Sequence, residues 1–259
     1  MKSTLTLCFA WVLLANSTCI AATVLNGSFE DPVDNFNNWL TTGIATVKTS
    51  PFGDVNPVNS PDGANQALIR TDRDGAGADV TVGNLANFLS IPEAQLSALA
   101  TDTITRGSGL KQAVTGVNVG DVVTVQFSWN YLTSEIAGNT NNDFGFFSVS
   151  SANGQTASYI EDANVPGYIA DTNAAGMTSF SSPENLFSRQ TGYRTASYTF
   201  TPGGDFTFGF GIVNVTDTTF SSGLLIDSVS LTAVPEPTAL AGLGMVGLAL
   251  TLRRRRKEG

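Results

Sequence analysis

The chain of 259 residues contains no histidine, which excludes Ser-His-Asp and Cys-His catalysis and every imidazole metal site. Its 22 acidic and 13 basic residues give a net charge of −9, a balance that repels nucleic acid and anionic lipid and attracts divalent cations. Carboxylates, hydroxyls, phenols and a few Lys and Arg remain for chemistry, and a domain that performs none is the simplest reading of that set.

Lys2, the apolar stretch Leu5 to Leu14 and a small-residue exit at Ala21 or Ala22 predict a secretory signal peptide over residues 1–22. Cys19 follows Asn16-Ser17-Thr18, a poor lipobox, so lipidation is the weaker reading. Cys8 and Cys19 both lie in this leader, which leaves the exported chain without a disulfide framework. Without residues 1–22 and the tail 234–259 described below, Lys and Arg fall from 13 to 7 and Asp and Glu from 22 to 20, a net charge of −13. About 210 residues remain, enough for one well-buried domain.

The region from Thr23 to Ala233 reads as strands. In Val122 to Tyr131 one face carries Val123, Val125, Phe127, Trp129 and Tyr131. In Phe206 to Ile212 the apolar face is Phe206, Phe208, Phe210 and Ile212. This period of two predicts half-buried strands. Further strands are expected at Thr23 to Phe29, Ile44 to Lys48, Ala67 to Arg70, Leu110 to Thr115, Phe144 to Ser150, Thr156 to Ile160, Thr195 to Phe200 and Leu224 to Thr232. Turn sequences separate them, among them Asn118-Val119-Gly120-Asp121, Asn153-Gly154 and Pro202-Gly203-Gly204. The pattern predicts an all-β fold, an antiparallel jelly-roll-like β-sandwich. One short helix interrupts it: Ser90-Ile91-Pro92-Glu93 has capping-box spacing, and Leu96, Leu99 and Ala100 supply an apolar face, which predicts a helix over Pro92 to Ala100. Two long loops, Thr133 to Asn142 and Glu161 to Gly192, are candidates to carry function.

Several side chains invite chemistry. Glu135 and Asp143 flank one loop and form the most catalytic-looking carboxylate pair, the basis for an alternative reading as a glycosidase. They fit calcium binding or loop capping equally well. Asp72-Arg73-Asp74-Gly75-Ala76-Gly77 imitates half an EF-hand loop, but Ala76 fills the third ligand position, and a tight surface turn is the better reading. Trp129 belongs to an inward face and is expected in the core. Tyr159, Tyr168 and Tyr193 border the second long loop and are candidates for a glycan platform.

The C-terminus is an address. Val234-Pro235-Glu236-Pro237 precedes an uncharged run from Ala239 to Leu252 and ends in Arg253-Arg254-Arg255-Arg256-Lys257. The prolines hold the tripeptide extended. The apolar run is shorter than the roughly 20 residues of a comfortable span, and the basic end is retained in the cytoplasm. Residues 234–259 resemble the PEP-CTERM sorting signal of Gram-negative bacteria, through Pro235, Glu236, Pro237 and the basic stop Arg253, Arg254, Arg255 and Arg256. The resemblance implies export by the Sec machinery, transient anchoring in the inner membrane by a transmembrane helix, and processing by an exosortase. It also implies an endpoint at the cell surface or in the extracellular matrix, in association with exopolysaccharide or biofilm.

Phe127 to Glu135, Asn142 to Phe147 and Gly209 to Thr219 followed by Leu224-Leu225-Ile226-Asp227 are similar to a β-sandwich ectodomain frequent in PEP-CTERM proteins. Asn26-Gly27-Ser28-Phe29-Glu30 and Leu225 to Leu231 resemble the first and last strands of carbohydrate-binding jelly rolls. That second resemblance implies a structural Ca²⁺ held by Glu30 and Asp227, and a Trp, here Trp39, packed near the first strand. The resulting expectation is a non-catalytic surface or matrix protein associated with polysaccharide.

Overall fold

The computed structural model describes residues 22–73, 78–100, 102–136, 142–160, 170–171 and 173–235. The leader up to residue 21 lies outside them, as do Asp74 to Gly77, Tyr168, Glu236, Pro237, the apolar run and Arg253 to Arg256. Among the described residues no helix is long and apolar enough to cross a membrane.

In chain order the elements are β1 (Leu40–Thr42), β2 (Ile44–Thr49), β3 (Asn65–Arg70), β4 (Val80–Thr81), α1 (Val82–Leu89), α2 (Glu93–Ser97), β5 (Ile104–Val114), β6 (Val122–Thr133) and β7 (Phe144–Ser151). β8 (Gly154–Tyr159), β9 (Thr178–Ser179), β10 (Arg189–Gln190), β11 (Arg194–Phe200), β12 (Phe206–Val215) and β13 (Ser222–Val234) complete the set. They form an antiparallel β-sandwich. The first sheet runs β1-β5-β12-β7-β8, with β4 on β5; the second runs β2-β3-β13-β6-β10-β9, with β11 also on β6. The chain crosses between sheets from β5 to β6, from β6 to β7 and again from β11 through β12 to β13.

The interior is aromatic. Val123, Val125, Phe127, Trp129 and Tyr131 of β6 face Phe206, Phe208, Phe210 and Ile212 of β12, all buried, so both predicted alternations hold. Phe210 is the hub: its ring centroid lies 4.6 Å from Phe127, 5.7 Å from Phe147, 6.0 Å from Phe208 and 6.2 Å from Trp39. Edge-on and tilted contacts of this kind add to the area each ring buries.

Three expectations are corrected. Thr23 to Phe29 is not a strand. Asn26 and Phe29 have positive φ, and Phe29 N–H closes a turn on Asn26 carbonyl oxygen. The segment is instead clamped by the Gln112 amide, which accepts from Leu25 N–H and donates to Leu25 oxygen, each at 2.8 Å. It then inserts Phe29 and Trp39 into the core. Trp39 does pack there, its indole donating to Asn26 oxygen.

There are also two helices among the described residues rather than one. The predicted helix is confined to α2. Ser90 does not cap it: with φ 58° it ends α1, and Pro92 occupies the N-cap of α2 without a side-chain bond. Helix α1 escapes a propensity reading because Gly83 and Asn84 are poor helix formers. Packing stabilises it. Thr81 caps its start, and Leu85, Ala86 and Leu89 are buried against the outer face of the first sheet. Glycines make room for that contact: a Cβ on Gly109 would stand 2.9 Å from Leu85, and one on Gly209 2.7 Å from Leu89.

Truncating Phe210 to Ala should cost about 3–5 kcal/mol, as for other buried rings. A urea titration of the Phe210→Ala chain checks this, and a loss below about 1 kcal/mol contradicts the hub assignment.

Candidate functional site

The expected calcium residues do converge, on a turn rather than on each other. Glu30 Oε1 accepts from Ala64 N–H at 2.6 Å and Asn65 N–H at 2.5 Å, and Oε2 accepts from the Asn65 side-chain amide at 2.9 Å. Asp227 Oδ2 accepts from Ser60 Oγ at 2.5 Å and Asp62 N–H at 3.0 Å, and Oδ1 from Ser228 N–H at 2.7 Å. Strand pairing between the chain's two ends shrinks to one bond, Val229 N–H to Gly27 oxygen. The two carboxylates therefore latch residues 60–65 to both ends of the domain. Each of the four carboxylate oxygens accepts at least one N–H or O–H bond in this arrangement. Burial raises the Asp227 pKa, against the bonds from Ser60, Asp62 and Ser228.

The second acidic pair lies where the inward rows change character. On β12 the row Phe208, Phe210, Ile212 continues to Asn214. The register that pairs Val213 with Phe144 sets Asn214 across from Asp143. On the second sheet the inward row of β6 ends in Thr133, paired with Ser222 of β13, and Thr71 follows Ile69 beyond β3. These five side chains are at most 1% exposed, so a polar layer closes the core. Thr133 and Ser222 hydroxyls lie 2.9 Å apart, Ser222 N–H donates to Thr71 Oγ1 at 2.9 Å, and Val215 N–H donates to Asp143 Oδ1 at 2.9 Å. Glu135 joins the layer through its N–H on Thr133 Oγ1, while the Arg189 guanidinium holds its carbonyl oxygen.

Burial pushes the Asp143 carboxyl well above the usual carboxylate range, and the charges of Glu135 and Asp217 push the same way. A glycosidase pair must face a cleft, and Glu135 and Asp143 are only 2% and 0% exposed. Their burial removes the support for that alternative. Among the described residues no three acidic, histidine or cysteine side chains form a group that could hold a metal ion.

The third candidate is open to solvent. A recess of about 570 Å³ on the outer face of the second sheet is lined by Asn56, Pro57, Val58, Asn59, Thr178, Gln190, Gly192 and Tyr193. Its amides are fixed by one another. Asn130 Nδ2 donates to Gln190 Oε1 at 2.9 Å, Gln190 Nε2 to Asn56 oxygen at 2.6 Å, and Tyr193 Oη to Gln66 Oε1 at 2.6 Å. The buried Gln66 Nε2 has no partner among the described residues. Burial, and then the charge of Asp227, push the Tyr193 phenol well above its ordinary range, so it stays a neutral donor.

Beyond Tyr193 the outer face continues as a strip of hydroxyls and amides with Asp227 at its margin, paired with Ser128. Thr195, Ser197 and Thr199 of β11 lie beside Ser128, Gln126 and Thr124 of β6, and Ser230 and Thr232 of β13 extend the rows. Of the sequence-predicted aromatics, Trp129 is core, Tyr159 is half-buried with its hydroxyl on Leu99 oxygen, and Tyr193 borders the recess. A second recess of about 360 Å³ opens between edge strands β8 and β11 over Phe147, Tyr198 and Phe200. The recess residues, and the buried Asn130 and Gln66 that bond to them, come from separate segments with no local motif that sequence reading could single out.

No protein-family model matches this chain, and no curated protein matches it. Solved structures with a similar course include TmCBM61 in complex with β-1,4-galactotriose, at 13% identity, 82% of this chain, 97% of that chain and a TM-score of 0.41. TmCBM27, described for mannan recognition, matches at 13% identity over 81% of this chain and 94% of that one, TM-score 0.37. The α-L-arabinofuranosidase MgGH51 matches at 9% identity over 82% of this chain and 26% of that one, TM-score 0.39. At these TM-scores the likeness does not reach sites or ligands.

The polar layer makes stability pH-dependent with a definite sign. The folded pKa of Asp143 exceeds the unfolded value of 3.8, so its contribution is complete below that value and is lost as pH rises through the folded pKa. In chelator-containing buffer the Asp143→Asn chain should therefore gain on wild type as pH rises, read by urea melts across the acid-to-neutral range. A pH-independent difference would contradict the burial assignment.

Proposed function

We propose that this protein is an exported, non-catalytic surface or matrix protein that binds polysaccharide on the outer face of its second sheet. The observation that carries the reading is the recess at Tyr193 with the strip of hydroxyls and amides that continues it. Neutral amides and hydroxyls held in fixed positions suit sugar hydroxyls, which donate and accept at once. The half-buried Tyr193 offers an amphipathic ring at the rim. On a chain of net charge −9, a face rich in hydroxyls and amides, with Asp227 bonded to Ser60, Asp62 and Ser228 at its margin, suits a neutral glycan.

Affinity electrophoresis in the producer's own polysaccharide tests this. The wild-type chain should be retarded without releasing oligosaccharide. Tyr193→Ala and Gln190→Ala should each weaken retention about tenfold, as expected for losing one or two directed contacts. Retention that neither substitution changes would refute the recess as the binding site.

The address belongs to the same reading. The leader over residues 1–22 directs Sec export, the run Ala239 to Leu252 anchors the chain transiently in the inner membrane, and an exosortase cuts near Pro235-Glu236-Pro237. Pro235, directly after β13, is exposed, which suits access by a processing enzyme. Mass spectrometry of the surface form should find a chain that ends before Arg253. An intact Arg253 to Arg256 end on that form would reduce the tail to an anchor.

A further inference from the structure

Asn214 sits on the inward row of β12, 1% exposed, and neither its amide oxygen nor its amide nitrogen has a hydrogen-bond partner among the described residues. Leaving such a group buried and unsatisfied is costly, so each instance calls for a cause. The strand register sets Asn214 beside Asp143, whose carboxylate lies in the same layer. Cross-strand neighbours on one face have Cβ atoms about 4.5–5.5 Å apart, within reach of a shared ion. The Ser221 hydroxyl, next to this layer at the start of β13, is likewise buried without a partner among the described residues. Glu135 lies at the end of β6 in the same closed end.

We propose that this closed end of the sandwich binds a Ca²⁺ ion, with the carboxylates of Glu135 and Asp143 and the amide oxygen of Asn214 as its protein ligands. The Ser222 hydroxyl, hydrogen-bonded to Asp143, supplies a further oxygen beside them. The donor set selects the metal. It is made of oxygens alone, charged and neutral together, as calcium accepts, whereas zinc and copper prefer imidazole and thiolate. Magnesium keeps several waters, and a layer this buried has little room for them. Two acids sharing a dry interior repel each other, and a divalent cation reverses that interaction. This site is distinct from the Glu30–Asp227 latch, and it does not depend on the glycan reading.

Calorimetric titration of the EDTA-stripped full chain with CaCl₂ alone tests the site. One ion should bind per chain. At a hundredfold excess over Kd the thermal midpoint should rise by about 5–10 °C. Asp143→Asn and Asn214→Leu should lose the calcium-dependent rise, Asn214→Asp should keep it, and Glu30→Gln should keep it. A wild-type chain whose melting does not respond to calcium overturns the proposal. So does a calcium response abolished by Glu30→Gln but retained in Asp143→Asn, which would place the ion at the latch. If Asp143→Asn fails to fold, the Asn214 pair decides: a full response in Asn214→Leu overturns the assignment.

Discussion

Two stacked sheets bury only the rows that face each other, and every outward row must find another cover. Here the inward rows are filled by Phe127, Trp129, Tyr131, Phe208 and Phe210, and the outward rows are treated differently on each side. The first sheet is covered by α1, which Gly109 and Gly209 let approach the strands closely. On the second sheet Phe52, Phe180 and Phe187 pack over Leu68, Leu132 and Leu225 at one end only. What they leave uncovered is the amide recess and the Ser/Thr strip. The position of the candidate binding face thus follows from the way each sheet disposes of its outer rows.

The acids divide along the same lines. Asp31, on the surface, has its pKa lowered by bonds from Asn37, Val33 and Asp34. Asp143, Asp171 and Asp227 are buried, and burial raises all three. In Asp227 the cost of burial is offset by donors from Ser60, Asp62 and Ser228, and the outcome is a mechanical latch across the chain ends. Beside Asp143 the Asn214 amide remains without a partner among the described residues. That contrast separates an acid that serves the fold from one that fits an ion.

Much of the interior was legible in the sequence, because the period of two survives burial. The faces of Val123 to Tyr131 and Phe206 to Ile212 point inward as their alternation implies. Had the second pattern been followed one step further, Asn214 would have stood out as the polar residue on an apolar row. Elements set by tertiary contacts were less legible. Helix α1 owes its existence to Leu85, Ala86 and Leu89 meeting the sheet, and the Thr23 to Phe29 segment is held by a side-chain clamp instead of a ladder. Ser90 had the spacing of a cap yet closes the preceding helix, since the same residue type serves either end when its φ turns positive. Glu30 and Asp227 both bond to the turn of residues 60–65, which carries no signal of its own in the sequence. The recess draws Asn56, Gln190 and Tyr193 from distant segments, backed by the buried Asn130 and Gln66, and only folding brings them together.

The central claim is that the outer face of the second sheet is where this protein meets polysaccharide. Amide chemical-shift mapping of the labelled chain, titrated with oligosaccharides from the producer's polymer, tests it residue by residue. The account predicts perturbations at Asn56, Gln190 and Tyr193 that continue along Thr195, Ser197 and Thr199. Perturbations confined to α1 and the first sheet, or to the groove between β8 and β11, would contradict it.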